Sequence, residues 1–148
     1  MKKKILLILV IVFIGIQFVP VAYNTANVVP TTDFIVNNQP PTEVAQLIKN
    51  SCYDCHSNNT RYPWYDKIAP VSWWVQDHVD HGKEEMNFSA WTEYPAKKQK
   101  KYLKEIIEEV EEGEMPLESY LIMHGNAKVN AEQLAALESW IETITVSE

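Results

Sequence analysis

Cys52, Cys55 and His56, in the run NSCYDCHSNNTRYPWYDKIAPVSWW, are the residues best placed to do chemistry, and they include both cysteines of the 148-residue chain. Two thiols three positions apart can close a disulfide, form half of a metal site, or fasten a cofactor. A structural zinc site wants four donors, commonly two pairs of cysteines or Cys2His2 with a more widely spaced histidine pair than His78 and His81. A thioredoxin-type disulfide places CxxC at a strand-to-helix turn, and no strand pattern precedes Cys52. A structural disulfide is open to an exported chain but leaves the adjacent His56 a coincidence. CxxCH as a haem attachment uses all three residues: the thiols add to two vinyl groups, and the imidazole falls under the iron as axial ligand. The spacing therefore predicts one haem c, attached through Cys52 and Cys55, with His56 on the metal.

The elements that must position these residues read as helices. In PTEVAQLIKNSC, Thr42 is the expected N-cap, and Val44, Leu47 and Ile48 recur at helical spacing up to the cysteines. A second helix, PVSWWVQDHVDHG, sets Val71, Trp74, Val75, His78 and Val79 on one face, with Gly82 as its stop. His78 points with the apolar residues, and His81 lies beside Asp77 and Asp80. The longest runs from Pro95 to Gly113 and buries Tyr102, Leu103, Ile106, Ile107 and Val110. Its lysines come early and its glutamates late, the reverse of what the helix dipole favours. MPLESYLIMHG makes a short helix after Pro116. NAEQLAALESWIETI starts with Asn130 capping and Gln133 reaching back, then buries Leu134, Leu137, Trp140, Ile141 and Ile144. No strand pattern competes, so the domain is expected to be all-α, with about five helices behind an N-terminal hydrophobic one.

That first segment, residues 1–23, has Lys2, Lys3 and Lys4 before an apolar run from Ile5 to Val19 that only Gly15 and Gln17 interrupt. It reads as a signal-anchor, or as a signal peptide if cleaved, although Pro20 suits a cut after Ala22 poorly. The lysines stay cytoplasmic, which puts the rest on the periplasmic side of the cytoplasmic membrane. Residues 24–41, rich in Asn, Thr and Pro, read as a tether, and 42–148 as the haem-binding domain. The chain carries −7 overall, and without its three leading lysines it keeps 10 basic against 20 acidic residues. That balance excludes a nucleic-acid partner and suits a redox protein with a basic surface, though it also serves plain solubility.

Five tryptophans and seven tyrosines fit an apolar pocket for a flat macrocycle, although ordinary core would use them too. Over Cys52 to Trp140 the chain resembles the haem-binding domain family of bacterial c-type cytochromes. The resemblance is carried by CxxCHSNxT, the PWY and APVSWW segments, NFSxW, and the MP of GEMP followed by a later histidine. It implies a monohaem, cytochrome c-like helical domain behind an anchor or signal, and no substrate. It also implies the sixth ligand: Met115 follows a long helix and precedes the C-terminal one, the order in which cytochrome c-like proteins present their methionine. His78, on the apolar face of its helix, is the leading rival. His124 is a further alternative, and Met123, His81 and Met86 are remoter ones. Pro63 or Pro70 could offer the carbonyl that orients His56, and Arg61 and Trp64 could meet the haem propionates.

Two functions follow. One is a membrane-tethered carrier that passes single electrons between redox proteins and is loaded by the cytochrome c maturation machinery. The other is a haem enzyme or sensor with a labile sixth position, peroxidase-like or gas-binding. Methionine ligation leaves no free position for a substrate, and no acid, base or nucleophile constellation stands out, so the carrier is the expectation.

Overall fold

Helical periodicity becomes a core wherever aromatic side chains meet it. The computed structural model describes residues 1–146 except Asn27, and these form eight α-helices and three short 3-10 turns with no strand. The α-helices are α1 (Lys2–Ile16), α2 (Phe34–Asn38), α3 (Thr42–Ser51), α4 (Tyr53–His56), α5 (Val71–Glu85), α6 (Ala96–Glu111), α7 (Glu118–Leu121) and α8 (Ala131–Ile141). The 3-10 turns cover Trp64–Lys67, Phe88–Glu93 and Gly125–Ala127.

The all-α expectation holds, and the helix count rises because short helices surround the cysteines. Val44, Leu47 and Ile48 of α3 pack with Tyr102, Leu103 and Ile106 of α6 and Leu137, Trp140 and Ile141 of α8. Phe34, Phe88 and Trp91 complete this core, with Phe34 edge-on to Trp91 at 4.6 Å between ring centroids. Asn130 and Gln133 close both halves of a capping box on α8. The helix α6 starts after Pro95 and is followed by Gly113 at φ +78°, where a side chain would be strained. Lys101–Glu105 and Lys104–Glu108 pair along it one turn apart, which offsets part of its unfavourable charge order.

Three expectations change. Thr42 is the first residue of α3 and Pro41 holds the cap position. The helix α5 does not stop at Gly82 but runs on to Glu85, and its buried residues are Ser72, Gln76 and Val79 while Val71 and Trp74 are exposed. Its deep face is thus polar, satisfied in part by Tyr62 Oη donating to Gln76 Oε1 at 2.7 Å.

The third change concerns residues 24–41, which are not a free tether. Phe34 is fully buried, and Asp33 caps α2 while accepting a 2.9 Å bond from Tyr53 Oη. Asn24 donates from Nδ2 to Ser57 O at 2.7 Å and to Thr60 Oγ1 at 2.9 Å. Ala26 N and Thr60 N donate across to Asn58 O and Asn24 O, a one-bridge antiparallel contact. Asparagine and threonine, which signal a loop by composition, here satisfy backbone groups of the domain. No helix among the described residues is long and apolar enough to cross a membrane. At 15 residues, α1 measures about 22 Å.

Candidate functional site

Cys52 ends α3 and precedes α4, whose single turn carries Cys55 and His56. Both thiols are free, and both face a cavity of about 580 Å³. One wall is formed by Cys52, Cys55, His56 and Phe88, another by His78, His81, Gly82 and Glu85 of α5. Tyr102, Ile106 and Val110 of α6 continue it, and the segment after α6 adds Met115, Pro116 and Leu117.

The imidazole is aimed by the end of α5. His56 Nδ1 lies 3.0 Å from Met86 O, and since a carbonyl only accepts, Nδ1 carries the proton and Nε2 keeps its lone pair. Burial lowers the pKa of His56, against smaller opposing effects of the Met86 and Gly82 carbonyls, which favours the neutral ring that a metal binds. The orienting carbonyl is therefore that of Met86, not of Pro63 or Pro70. Proline in the following loop was the nearer choice along the chain, but α5 returns its own end to the ring.

Gly82 makes that return possible. A Cβ there would stand 2.9 Å from Cys55 O and 3.2 Å from Cys55 Cβ, so α5 and α4 touch backbone to backbone. Burial pushes the Cys52 thiol up to about 12, with Cys55 adding to it, and burial with the nearby Asp54 pushes Cys55 to about 11. Both are protonated thiols at neutral pH.

Asp54, between the two cysteines, faces away from the cavity. It accepts from Arg61 Nε at 2.9 Å, from Arg61 N at 3.2 Å and from Tyr120 Oη at 2.8 Å. Tyr120 belongs to α7 and also lines the large cavity, so one buried carboxylate joins the cysteine turn to the segment that follows Met115. Burial and the Asp54 carboxylate push the Tyr120 phenol far up, which keeps it a donor.

The other candidates separate. Met86 lines the cavity and packs against the core, and His78 and His81 lie on the rim with Nδ1 held by the carbonyls of Trp74 and Asp77. His124 does not line the large cavity: it stacks on Tyr120 at 4.1 Å and borders a second, smaller pocket with Arg61. Arg61 and Trp64, assigned to the propionates, are also elsewhere. Arg61 is drawn to Asp54, and Trp64 is exposed and touches Tyr65. Met123 is exposed. None of the tryptophans lines the cavity; Trp91 and Trp140 serve the core, the bland reading of the aromatic content. Lys101 and His81 do border the cavity.

Asp54, Gly82, Met86 O and Tyr120 escape a reading of the chain. Only Gly82 carried a signal, since an interior helix glycine can mark close approach as well as a stop.

Two free thiols, an aimed neutral imidazole and a thioether on one largely apolar cavity are donors that fit haem. No three His, Cys, Asp or Glu side chains among the described residues converge as a metal-ion site. No curated protein and no solved structure matches the chain. A family model described as a haem-binding domain matches residues 11–143, and the chain belongs to the haem-binding domain family.

Proposed function

We propose that this haem-binding protein is a monohaem c-type cytochrome, anchored by its N-terminal segment on the periplasmic side of the cytoplasmic membrane, that carries single electrons between redox proteins. The observation that carries the reading is the gathering of Cys52, Cys55, His56 and Met115 on one cavity. Each thiol would hold the haem by adding across a vinyl group, its sulfur to one carbon and its hydrogen to the other, so that no oxidant or reductant is needed. Cytochrome c maturation machinery is the partner this reading expects to load the haem. Haem held here would supply a one-electron couple between a reduced donor protein and an oxidised acceptor.

The chain's own residues do the rest. His56 Nε2 would hold the iron, and Met86 O fixes the direction of the ring. Met115 would hold the iron from the other wall, and its soft thioether would favour the reduced state and leave no position for a substrate. Phe88, Ile106 and Val110 give the cavity an apolar lining. Asp77, Glu85, Glu105 and Glu109 border the cavity and suit a partner with a basic surface.

His78 on the rim is what would favour the second reading, a haem enzyme or sensor, because an imidazole there could displace or assist a labile ligand. Absorbance spectroscopy separates the two. In the carrier the oxidised protein shows a weak far-red sulfur-to-iron band, which Met115→Ala abolishes and His78→Ala spares, and Met115→Ala also lowers the potential and admits carbon monoxide. Rapid carbon monoxide binding by the unmodified protein, with no such band, overturns the carrier reading. Haem stain on a denaturing gel that persists in the parent and disappears in Cys52→Ala/Cys55→Ala tests the covalent attachment.

A further inference from the structure

Exposed apolar residues collect where the N-terminal helix meets the domain. Gln17, just past α1, donates from Nε2 to Ala69 O at 3.1 Å and accepts from Ala69 N through Oε1 at 2.9 Å. This two-bond clasp pins the end of α1 to the start of α5. Ala69 is preceded by Ile68 and followed, after Pro70, by Val71, and both are exposed. One turn before lies Trp64, 72% exposed, and one turn after lies Trp74, 50% exposed; Phe18, beside Gln17, is 82% exposed.

Two indoles with no role in the core or the cavity suit a boundary between apolar and wet phases, where ring and N–H are both served. Length argues the same way. The roughly 22 Å of α1 falls short of the roughly 30 Å hydrocarbon layer, and a short apolar segment draws its flanking residues into the interface. The chain after α1 gives no slack, because Tyr23 Oη donates to Asp66 O at 3.1 Å and Asn24 is held by Ser57 and Thr60. Lys67, exposed within the same turn as Trp64, is a cation that headgroup phosphates would suit at no desolvation cost.

We propose that Phe18, Trp64, Ile68, Val71 and Trp74 form a membrane-docking face that lies in the headgroup interface of the bilayer that α1 enters, so the domain rests on lipid. The inference rests on the anchor reading given above.

The test uses the full haem-loaded chain in vesicles of phosphatidylcholine and phosphatidylglycerol that contain a diazirine-bearing phosphatidylcholine, with adducts mapped by mass spectrometry. Adducts are expected within residues 5–19 and also on peptides carrying Trp64, Ile68, Val71 and Trp74. Trp64→Ser/Trp74→Ser should lower the adducts at Ile68 and Val71 roughly fivefold while sparing residues 5–19 and the haem spectrum. Adducts confined to residues 5–19 overturn the docking face and leave the anchor standing. Absence of adducts throughout overturns both. Protection of the face by a second copy, with copy-to-copy crosslinks and no lipid adducts there, overturns it as well.

Discussion

Asp66 is fully buried in the turn Trp64–Lys67, and neither of its carboxylate oxygens has a hydrogen-bond partner among the described residues. Burial lifts its pKa from the ordinary 3.8 to about 6. Between those values the folded chain keeps a proton that the unfolded chain has released, so stability falls as pH rises through the window and the loss is complete above it. Asp66→Asn is expected to be more stable than the parent at pH 7 by about 1 kcal/mol, less than the pKa alone implies because solvent screens a surface turn. Urea midpoints at pH 7 and pH 4 check this; the advantage should vanish at the lower pH, and equal midpoints at pH 7 would refute the liability. The residue types that do chemistry are legible in the chain because CxxCH is local. The carbonyl that aims His56 is not, since Met86 lies 30 residues away and its side chain plays no part in the bond.

At the scale of elements, α5 decides how the site is built. A helix-interior glycine is locally unfavourable by about 1 kcal/mol against alanine, so Gly82→Ala would stabilise an isolated helix. Here the added Cβ meets Cys55 backbone at 2.9 Å, and separating α4 from α5 is expected to cost about 1–3 kcal/mol, which reverses the sign. Thermal unfolding should show the loss, and the proportion of chain that takes up haem should fall with it. A Gly82→Ala protein as stable and as fully loaded as the parent would show that the two helices do not need contact. Periodicity located α3, α6 and α8 because their stripes are apolar, with a proline before α3 and α6 and a capping box on α8 to mark their starts. It misread α5, where Trp74 and Val71 look inward by hydropathy yet are exposed, while Ser72 and Gln76 are buried by hydrogen bonds that hydropathy cannot register.

Across the whole molecule, the segment before Thr42 belongs to the fold. Phe34→Ala should cost about 3–5 kcal/mol, because the ring is fully buried against Phe88, Trp91 and Trp140. In a tether the same change would cost nothing, so a denaturation midpoint decides the matter. Composition could not reveal this: a loop-like run of Asn, Thr and Pro is also what satisfies backbone groups beside α4 and its following turn. The aromatic content was legible as a need for apolar burial, but its division between core and cavity depends on tertiary packing, and Trp91 and Trp140 serve the core while Trp64 and Trp74 are exposed.

The bond from Tyr120 to Asp54 acts as a strut. It joins the cysteine turn to the helix after Met115 through protein atoms alone, at 2.8 Å, so the spacing of these two walls does not depend on what lies between them. If the protein carries electrons as proposed, a site braced in this way would leave little for the surrounding nuclei to do when its charge changes by one, and the barrier to exchanging an electron would be correspondingly small. Tyr120→Phe removes the strut and keeps the ring. Self-exchange between oxidised and reduced protein, followed by magnetic resonance line broadening, should then slow roughly tenfold, equivalent to about 1.4 kcal/mol of added barrier, while the midpoint potential moves much less. An unchanged exchange rate would mean that the walls hold their spacing without it.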